Sequence, residues 1–226
     1  MLEKIRNTVS VFICIISHFV VFFLSKIFLS VYINYEDKDF KEIKRPVIIV
    51  SNHKNSFDAW VILYSLPFRV FFRILPIRAF AKKRFEKNFL WDKLYRLKII
   101  DFVYYIYNVI TIPEVDSFEG KTKPLVEALN NKNSILMFPE GRIILEEGVG
   151  EFKKGVVYLQ DMTGTPILPC AVCYGKKTFF RRKTSVSFGK AFYTPKELLK
   201  NKENYLEARE YLRKEILRLY NKNNVR

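Results

Sequence analysis

Cysteine and histidine are both scarce in this chain, whose 226 residues include three Cys and two His. Cys14 lies inside an apolar run and Cys170 and Cys173 sit close together, so no disulfide framework can be read and a reducing compartment is the simpler setting. The Cys170-x-x-Cys173 pair has no second Cys or His pair to complete four zinc ligands. It falls within Pro166-Ile-Leu-Pro-Cys-Ala-Val-Cys-Tyr174, which reads as a buried strand, so no metal site is expected. A Gly-x-Ser-x-Gly nucleophile elbow is missing, which removes the strongest sequence cue for a serine hydrolase. Gly120-Lys121-Thr122 imitates the end of a P-loop, but Val115 stands where its first glycine belongs and no strand immediately precedes it. There are no internal repeats and no low-complexity tracts. Acid is in short supply as well: 23 Asp and Glu face 39 Lys and Arg, for a net charge of +16. That excess favours a polyanionic partner, whether nucleic acid, anionic lipid or an acidic carrier protein. The 21 Phe and 13 Tyr offer more greasy surface than a phosphate-backbone binder needs, which puts lipid ahead and nucleic acid behind.

Charge is absent altogether from Asn7 to Ser25, 19 residues dominated by Val, Ile, Phe and Leu. This approaches the ~20 residues needed to span hydrocarbon. Lys4 and Arg6 resemble a signal peptide's positive region, yet no small-x-small cleavage site follows, so the segment is expected to be retained. Apolar character resumes after Lys26 through Ile33, and two membrane-inserted helices around Lys26 would account for both halves. His18, inside the run, is expected to be a tolerated polar residue with no chemical role. The chain thus divides into an N-terminal membrane-associating helical segment, residues 1–36, and a second domain, residues 37–226. The basic remainder is expected at the cytoplasmic face of a membrane.

Beyond the connector Glu36 to Lys44, short β-like runs alternate with helical stretches, the pattern of an α/β domain. Strands are expected at Pro46 to Val50, Val109 to Ile112, Ser134 to Phe138, Pro166 to Val172 and Ser185 to Phe188. Helices are expected after Ser56, over Lys123 to Asn130, and over Phe152 to Met162 with Gly164 as terminator. Thr194-Pro195-Lys196-Glu197 reads as an N-cap, a first-turn proline and a capping-box glutamate. Tyr205, Leu212, Ile216 and Leu219 then recur at helical spacing as a packing face. Arg69 to Lys87 carries seven basic residues and one acidic among phenylalanines, and Lys176 to Lys183 repeats the theme. Both read as membrane-surface docking.

Chemistry concentrates in two segments. Val50-Ser-Asn-His-Lys-Asn-Ser-Phe-Asp-Ala-Trp60 lies between an apolar strand and an apolar helix, the strand-to-helix turn where α/β folds place active sites. His53 there can accept a proton near neutral pH, and Asp58 can hold its other ring nitrogen. A His and an Asp five apart also arise by chance, and a capping aspartate beside a surface histidine is the competing reading. The second segment, Ile135-Leu-Met-Phe-Pro-Glu-Gly-Arg142, again ends an apolar strand in charged groups, with an arginine suited to phosphate.

Together these segments resemble the PlsC-like family of glycerol-3-phosphate and lysophosphatidate acyltransferases, known by His-x4-Asp and a later Phe-Pro-Glu-Gly. Phe152-Lys-Lys-Gly155 and Thr165-Pro-Ile-Leu-Pro169 are also similar to that family, and the resemblance covers residues 46 to 190. It implies an α/β fold with a mixed central sheet flanked by helices, here preceded by membrane-embedded helices. It implies an O-acyltransferase of phospholipid synthesis that moves an acyl group from acyl-CoA or acyl carrier protein to a lysophospholipid hydroxyl, most simply that of 1-acyl-glycerol-3-phosphate. The acyl donor is then a co-substrate, with no other cofactor. In that resemblance His53 is the general base, Asp58 its orienter, and Glu140, Gly141 and Arg142 the acceptor-side wall, with Lys83 a further phosphate contact that Lys82 fits almost as well. Two departures bear on the acceptor. Arg142 follows Gly141 with no intervening Thr, and Glu114 ends Val109-Ile-Thr-Ile-Pro-Glu114 where relatives carry arginine. Another lysolipid or hydroxylated lipid, or a noncatalytic membrane-bound lipid or carrier-protein binder with the same fold, are the alternatives.

Overall fold

The computed structural model describes residues 2–37, 40, 43–81, 93–94, 96–177, 182–200, 203 and 205–224. In chain order the elements are α1 (Leu2–Phe28), β1 (Leu29–Tyr35), β2 (Ile48–Ser51), α2 (Asp58–Ser65), α3 (Phe68–Ile74), β3 (Ile77–Ala81), α4 (Ile99–Ile106), β4 (Ile110–Thr111), α5 (Phe118–Asn130), β5 (Ser134–Met137), α6 (Gly155–Thr163), β6 (Ile167–Lys177), β7 (Arg182–Phe188), a 3-10 turn (Lys196–Leu199) and α7 (Leu206–Asn224).

The strands form one seven-stranded sheet in the order β1-β7-β6-β2-β5-β3-β4. Every neighbouring pair is parallel except β6 and β7, which makes the sheet mixed. Strands β2 and β5 are buried at every residue, as expected where helices cover both faces of a parallel sheet. Their side chains alternate between two cores. Ile48, Val50, Ile135 and Met137 face α5, α6 and α7, while Val47, Ile49 and Leu136 face α2 and α3. Cys170 and Cys173 on β6 go to opposite cores, so the pair is divided by the sheet.

The N-terminus corrects the expectation of membrane-embedded helices around Lys26. There is one helix there, α1, and the second apolar stretch is strand β1, which pairs residue for residue with β7 from Leu29↔Arg182 to Tyr35↔Phe188. Its short run of β-branched and aromatic residues suits a sheet edge better than a second helix. Among the described residues no helix is long and apolar enough to cross a membrane. Helix α1 instead lies along α2 and α4, with Val11, Cys14 and Ile15 packed against the core. Ser10 and His18 are buried, while Phe12, Ile16, Phe19, Val20, Phe23 and Leu24 are exposed. His18 is held by ring stacking on Phe71 of α3, with centroids 4.2 Å apart.

Two further expectations change. Thr194 does not cap a helix: its N–H donates to Gln160 Oε1 at 3.0 Å, its hydroxyl is buried without a partner, and only the 3-10 turn follows. The long helix begins after Tyr205, and Leu212, Ile216 and Leu219 do form its packing face. Within the basic stretch from Arg69, two arginines serve the fold. Arg73 donates to the carbonyls of Phe40 and Ile43, and Arg78 to the carbonyl and side chain of Asn108. Elsewhere Gly164 ends α6 at φ +62°, as its sequence position suggests. Ser117 starts α5 by accepting from Gly120 N–H at 3.1 Å.

Candidate active site

The site forms where β2 ends. Asn52, fully buried, accepts from Val172 N–H at 2.8 Å and donates from Nδ2 to Val172 O at 2.9 Å, which extends the tie between β2 and β6 beyond the backbone ladder. His53 leaves the strand at that anchored point. Its Nδ1 lies 2.9 Å from Asp58 Oδ2, and its ring stacks on Phe138 with centroids 4.1 Å apart and planes 11° from parallel. The imidazole is therefore fixed at one nitrogen and on one face. The side chain is 19% exposed while Asp58 is fully buried. With Nδ1–H donating to the carboxylate, Nε2 carries the free lone pair at the accessible edge.

Asp58 opens α2 and reaches back over the turn that precedes it. Oδ2 accepts from Lys54 N–H at 2.6 Å and Asn55 N–H at 2.8 Å, while Oδ1 accepts from the Tyr174 hydroxyl at 2.6 Å. These donors, with the N-terminal end of α2, offset the cost of burying the charge. Asp58 is thus a carboxylate aimed at an imidazole, and no longer an ordinary capping residue.

Glu140 holds the other side of the turn. Its Oε2 accepts from His53 N–H and its Oε1 from Gly150 N–H, each at 2.7 Å, and the residue is 4% exposed. Burial raises its carboxyl above the usual range, opposed by those two donors. Ile144 N–H donates to His53 O at 2.8 Å, so Glu140 and the segment after it each bind the histidine backbone once. Gly141 sits at φ +70°, and a Cβ there would meet Lys153 Nζ at 2.8 Å. Arg142 follows, exposed. An arginine and a lysine from separate segments thereby flank one glycine turn, a setting suited to an anionic group.

The structure therefore brings His53, Asp58, Glu140 and Gly141 together and places Arg142 on the same turn. Glu140 acts on the backbone of His53. Lys83 and Lys82 lie outside the described residues. Asn52, Tyr174 and Gly150 are site-building residues that the sequence reading did not assign, and no local motif marks them, because each acts on a partner from another segment. Among the described residues no group of three His, Cys, Asp or Glu could hold a metal ion.

Residues 32–173 match the family model described as Acyltransferase. The chain is similar to a probable 1-acyl-sn-glycerol-3-phosphate acyltransferase of Mycoplasma genitalium, 28% identical over 131 residues covering 57% of this chain and 44% of the relative. A second relative of the same description, from Mycoplasma pneumoniae, is 23% identical over 129 residues covering 57% and 45%. The chain thus spans less than half the length of these curated relatives. Among solved structures, its fold is like that of the 1-acyl-sn-glycerophosphate (LPA) acyltransferase PlsC from Thermotoga maritima, with a TM-score of 0.64, 20% identity, and coverage of 100% of this chain and 84% of that one.

Proposed function

The chain belongs to the acyltransferase family, and on that premise we propose that it moves a fatty acyl group from a thioester donor to the free hydroxyl of a lysophospholipid at a membrane surface. The observation that carries this reading is the His53–Asp58 pair, with Nδ1 held at 2.9 Å by a fully buried carboxylate and the ring edge left accessible. His53 Nε2 takes the proton of the acceptor hydroxyl as its oxygen bonds to the thioester carbonyl carbon. The C–S bond then breaks, and the imidazolium returns the proton to the departing thiolate. Asp58 stabilises the transient imidazolium and fixes the tautomer, without becoming covalently involved. The donor is acyl-CoA or acyl carrier protein.

For the acceptor, lysophosphatidate is the reading favoured by the names of the two Mycoplasma relatives. Arg142 and Lys153, on either side of Gly141, supply cations for its phosphate. The outward apolar face of α1 supports a membrane-associated setting, since exposed apolar stripes of this size mark interaction surfaces.

The test is acyl transfer by purified protein in detergent, with acyl-CoA and acyl carrier protein donors against a panel of lysolipids. We expect product with lysophosphatidate, a fall of about 10²–10⁴ in rate for His53→Ala, and loss of the phosphate preference in Arg142→Ala. No product from any donor and acceptor pair would favour a noncatalytic binder. Full activity in His53→Ala would remove the mechanism.

A further inference from the structure

Asp58 takes four polar contacts, and they are unevenly distributed. Oδ2 receives Lys54 N–H, Asn55 N–H and His53 Nδ1, all from its own turn. Oδ1 receives the Tyr174 hydroxyl at 2.6 Å, from strand β6 and 116 residues away in sequence. The turn alone would present an aspartate to His53. All three local contacts converge on Oδ2, so they hold that oxygen and leave Oδ1 to be satisfied from outside the turn.

We propose that Tyr174 is a positioning residue for the His53–Asp58 pair: its hydroxyl holds Asp58 Oδ1 from strand β6 and sets how much carboxylate charge the imidazole receives. This rests on the reading of His53 as the general base. A phenol bonded to a carboxylate at this separation forms a short, charge-assisted hydrogen bond. It must stay protonated to do so, and burial, followed by the negative charge of Asp58, drives its pKa well above the ordinary range. Arg182 of β7 covers the ring, its guanidinium carbon 4.9 Å from the centroid, and so holds the phenol from the solvent side. Because a bonded proton withdraws charge from the carboxylate, Tyr174 weakens the hold of Asp58 on the imidazolium. That hold must be strong enough to orient the base and weak enough to release the proton to the leaving thiolate.

The other groups around the pair make contacts of their own that do not run through Tyr174. Glu140 meets the backbone of His53, Lys54 is engaged through Nζ with the carbonyl of Glu146, Phe138 stacks on the imidazole, and the Cys170 thiol is fully buried, which pushes its pKa up. A shift in His53 titration on losing the phenol therefore reports the Tyr174 to Asp58 contact.

The experiment is Tyr174→Phe in the full chain, read first by the imidazole NMR titration. The chain has only two histidines, and His18→Gln identifies the second set of signals. We expect the His53 midpoint to rise by about half a pH unit while His18 stays where it was. In the transfer assay we expect kcat to fall about tenfold with the acceptor KM within about twofold, and the acid limb of the pH profile to move up with the NMR midpoint. Unchanged His53 titration overturns the proposal, and that readout stands even if no acyl acceptor is ever found. A double-mutant cycle guards against general loosening, since Tyr174→Phe should add no further shift once Asp58 is Asn. An equal shift in that background would overturn the proposal as well.

Discussion

Glu140 illustrates how one buried side chain can set the position of another without touching it. Its two oxygens bind the N–H groups of His53 and Gly150, so it fixes backbone on both sides of the site. Glu140→Gln keeps the shape but turns one acceptor into a donor facing an N–H. Leaving a buried N–H unsatisfied costs about 1–3 kcal/mol, which for a domain of this size lowers the thermal midpoint by roughly 2–12 °C. A calorimetric scan of the variant checks this, and a midpoint equal to that of the parent would show that the contacts carry no weight. The same logic explains what could be read from residues alone. His53 and Asp58 lie five apart on one turn, so their pairing was visible in the sequence, and Phe138 to Arg142 was visible as a second strand end. Asn52 and Tyr174 were not, because their partners, Val172 and Asp58, lie 120 and 116 residues away.

At the scale of elements, the short apolar runs are the dependable signal in the sequence, and the fold divides residues 48–50, 135–137, 167–168 and 170–173 between two cores. The segments from Leu29 and from Thr194 carry helical signals in sequence, and each is settled by a partner instead. Strand β1 is drawn to the sheet by β7, and Thr194 is claimed by Gln160. Helix α7 shows what such long-range demands achieve. Arg213 donates from Nε to Gly150 O at 2.9 Å and from Nη2 to Val149 O at 3.0 Å, clamping the loop whose Gly150 N–H holds Glu140. We expect Arg213→Ala to destabilise the fold by about 1–3 kcal/mol, since the two carbonyls lose charge-assisted donors. Faster amide exchange should appear in residues 144–150 ahead of the strands, measurable by hydrogen exchange mass spectrometry. Uniform exchange across the chain would dissociate the loop from α7.

For the molecule as a whole, two features join the N-terminal elements to the rest and to their surroundings. Glu36, just past β1, is gripped by both nitrogens of Arg218 at 2.7 Å each and by Lys222 at 3.3 Å, which ties the sheet edge to α7. Hydrogen bonding to Arg218 is the chief cause of its lowered pKa, with burial opposing it. A depressed carboxyl pKa contributes stability that is present above the unfolded value near 4.5 and lost as pH falls through the folded one. Arg218 is 48% exposed, so screening keeps the contribution small. Glu36→Gln should lower stability by less than about 1 kcal/mol at pH 7 and by progressively less as pH falls below 4.5, which urea titrations at several pH values would resolve. The second feature is the outward face of α1. Phe19 meets Phe68 at 4.9 Å and Phe68 meets Phe72 at 5.1 Å, so the exposed stripe of α1 continues onto α3 as one apolar surface. On the proposed membrane setting, the apolar side chains of this surface would enter the headgroup boundary of an anionic bilayer and the cations would answer the lipid charge. Phe12 and Phe23 are the most exposed of the α1 stripe, at 64% and 65%, and make no contribution to either core cluster. Each buried Phe is worth about 1.5–3 kcal/mol, so Phe12→Ser with Phe23→Ser should cut partitioning onto anionic vesicles by at least about tenfold while far-ultraviolet circular dichroism stays unchanged. Undiminished binding would count against α1 as the membrane contact, and added salt would then show whether the basic residues alone account for it.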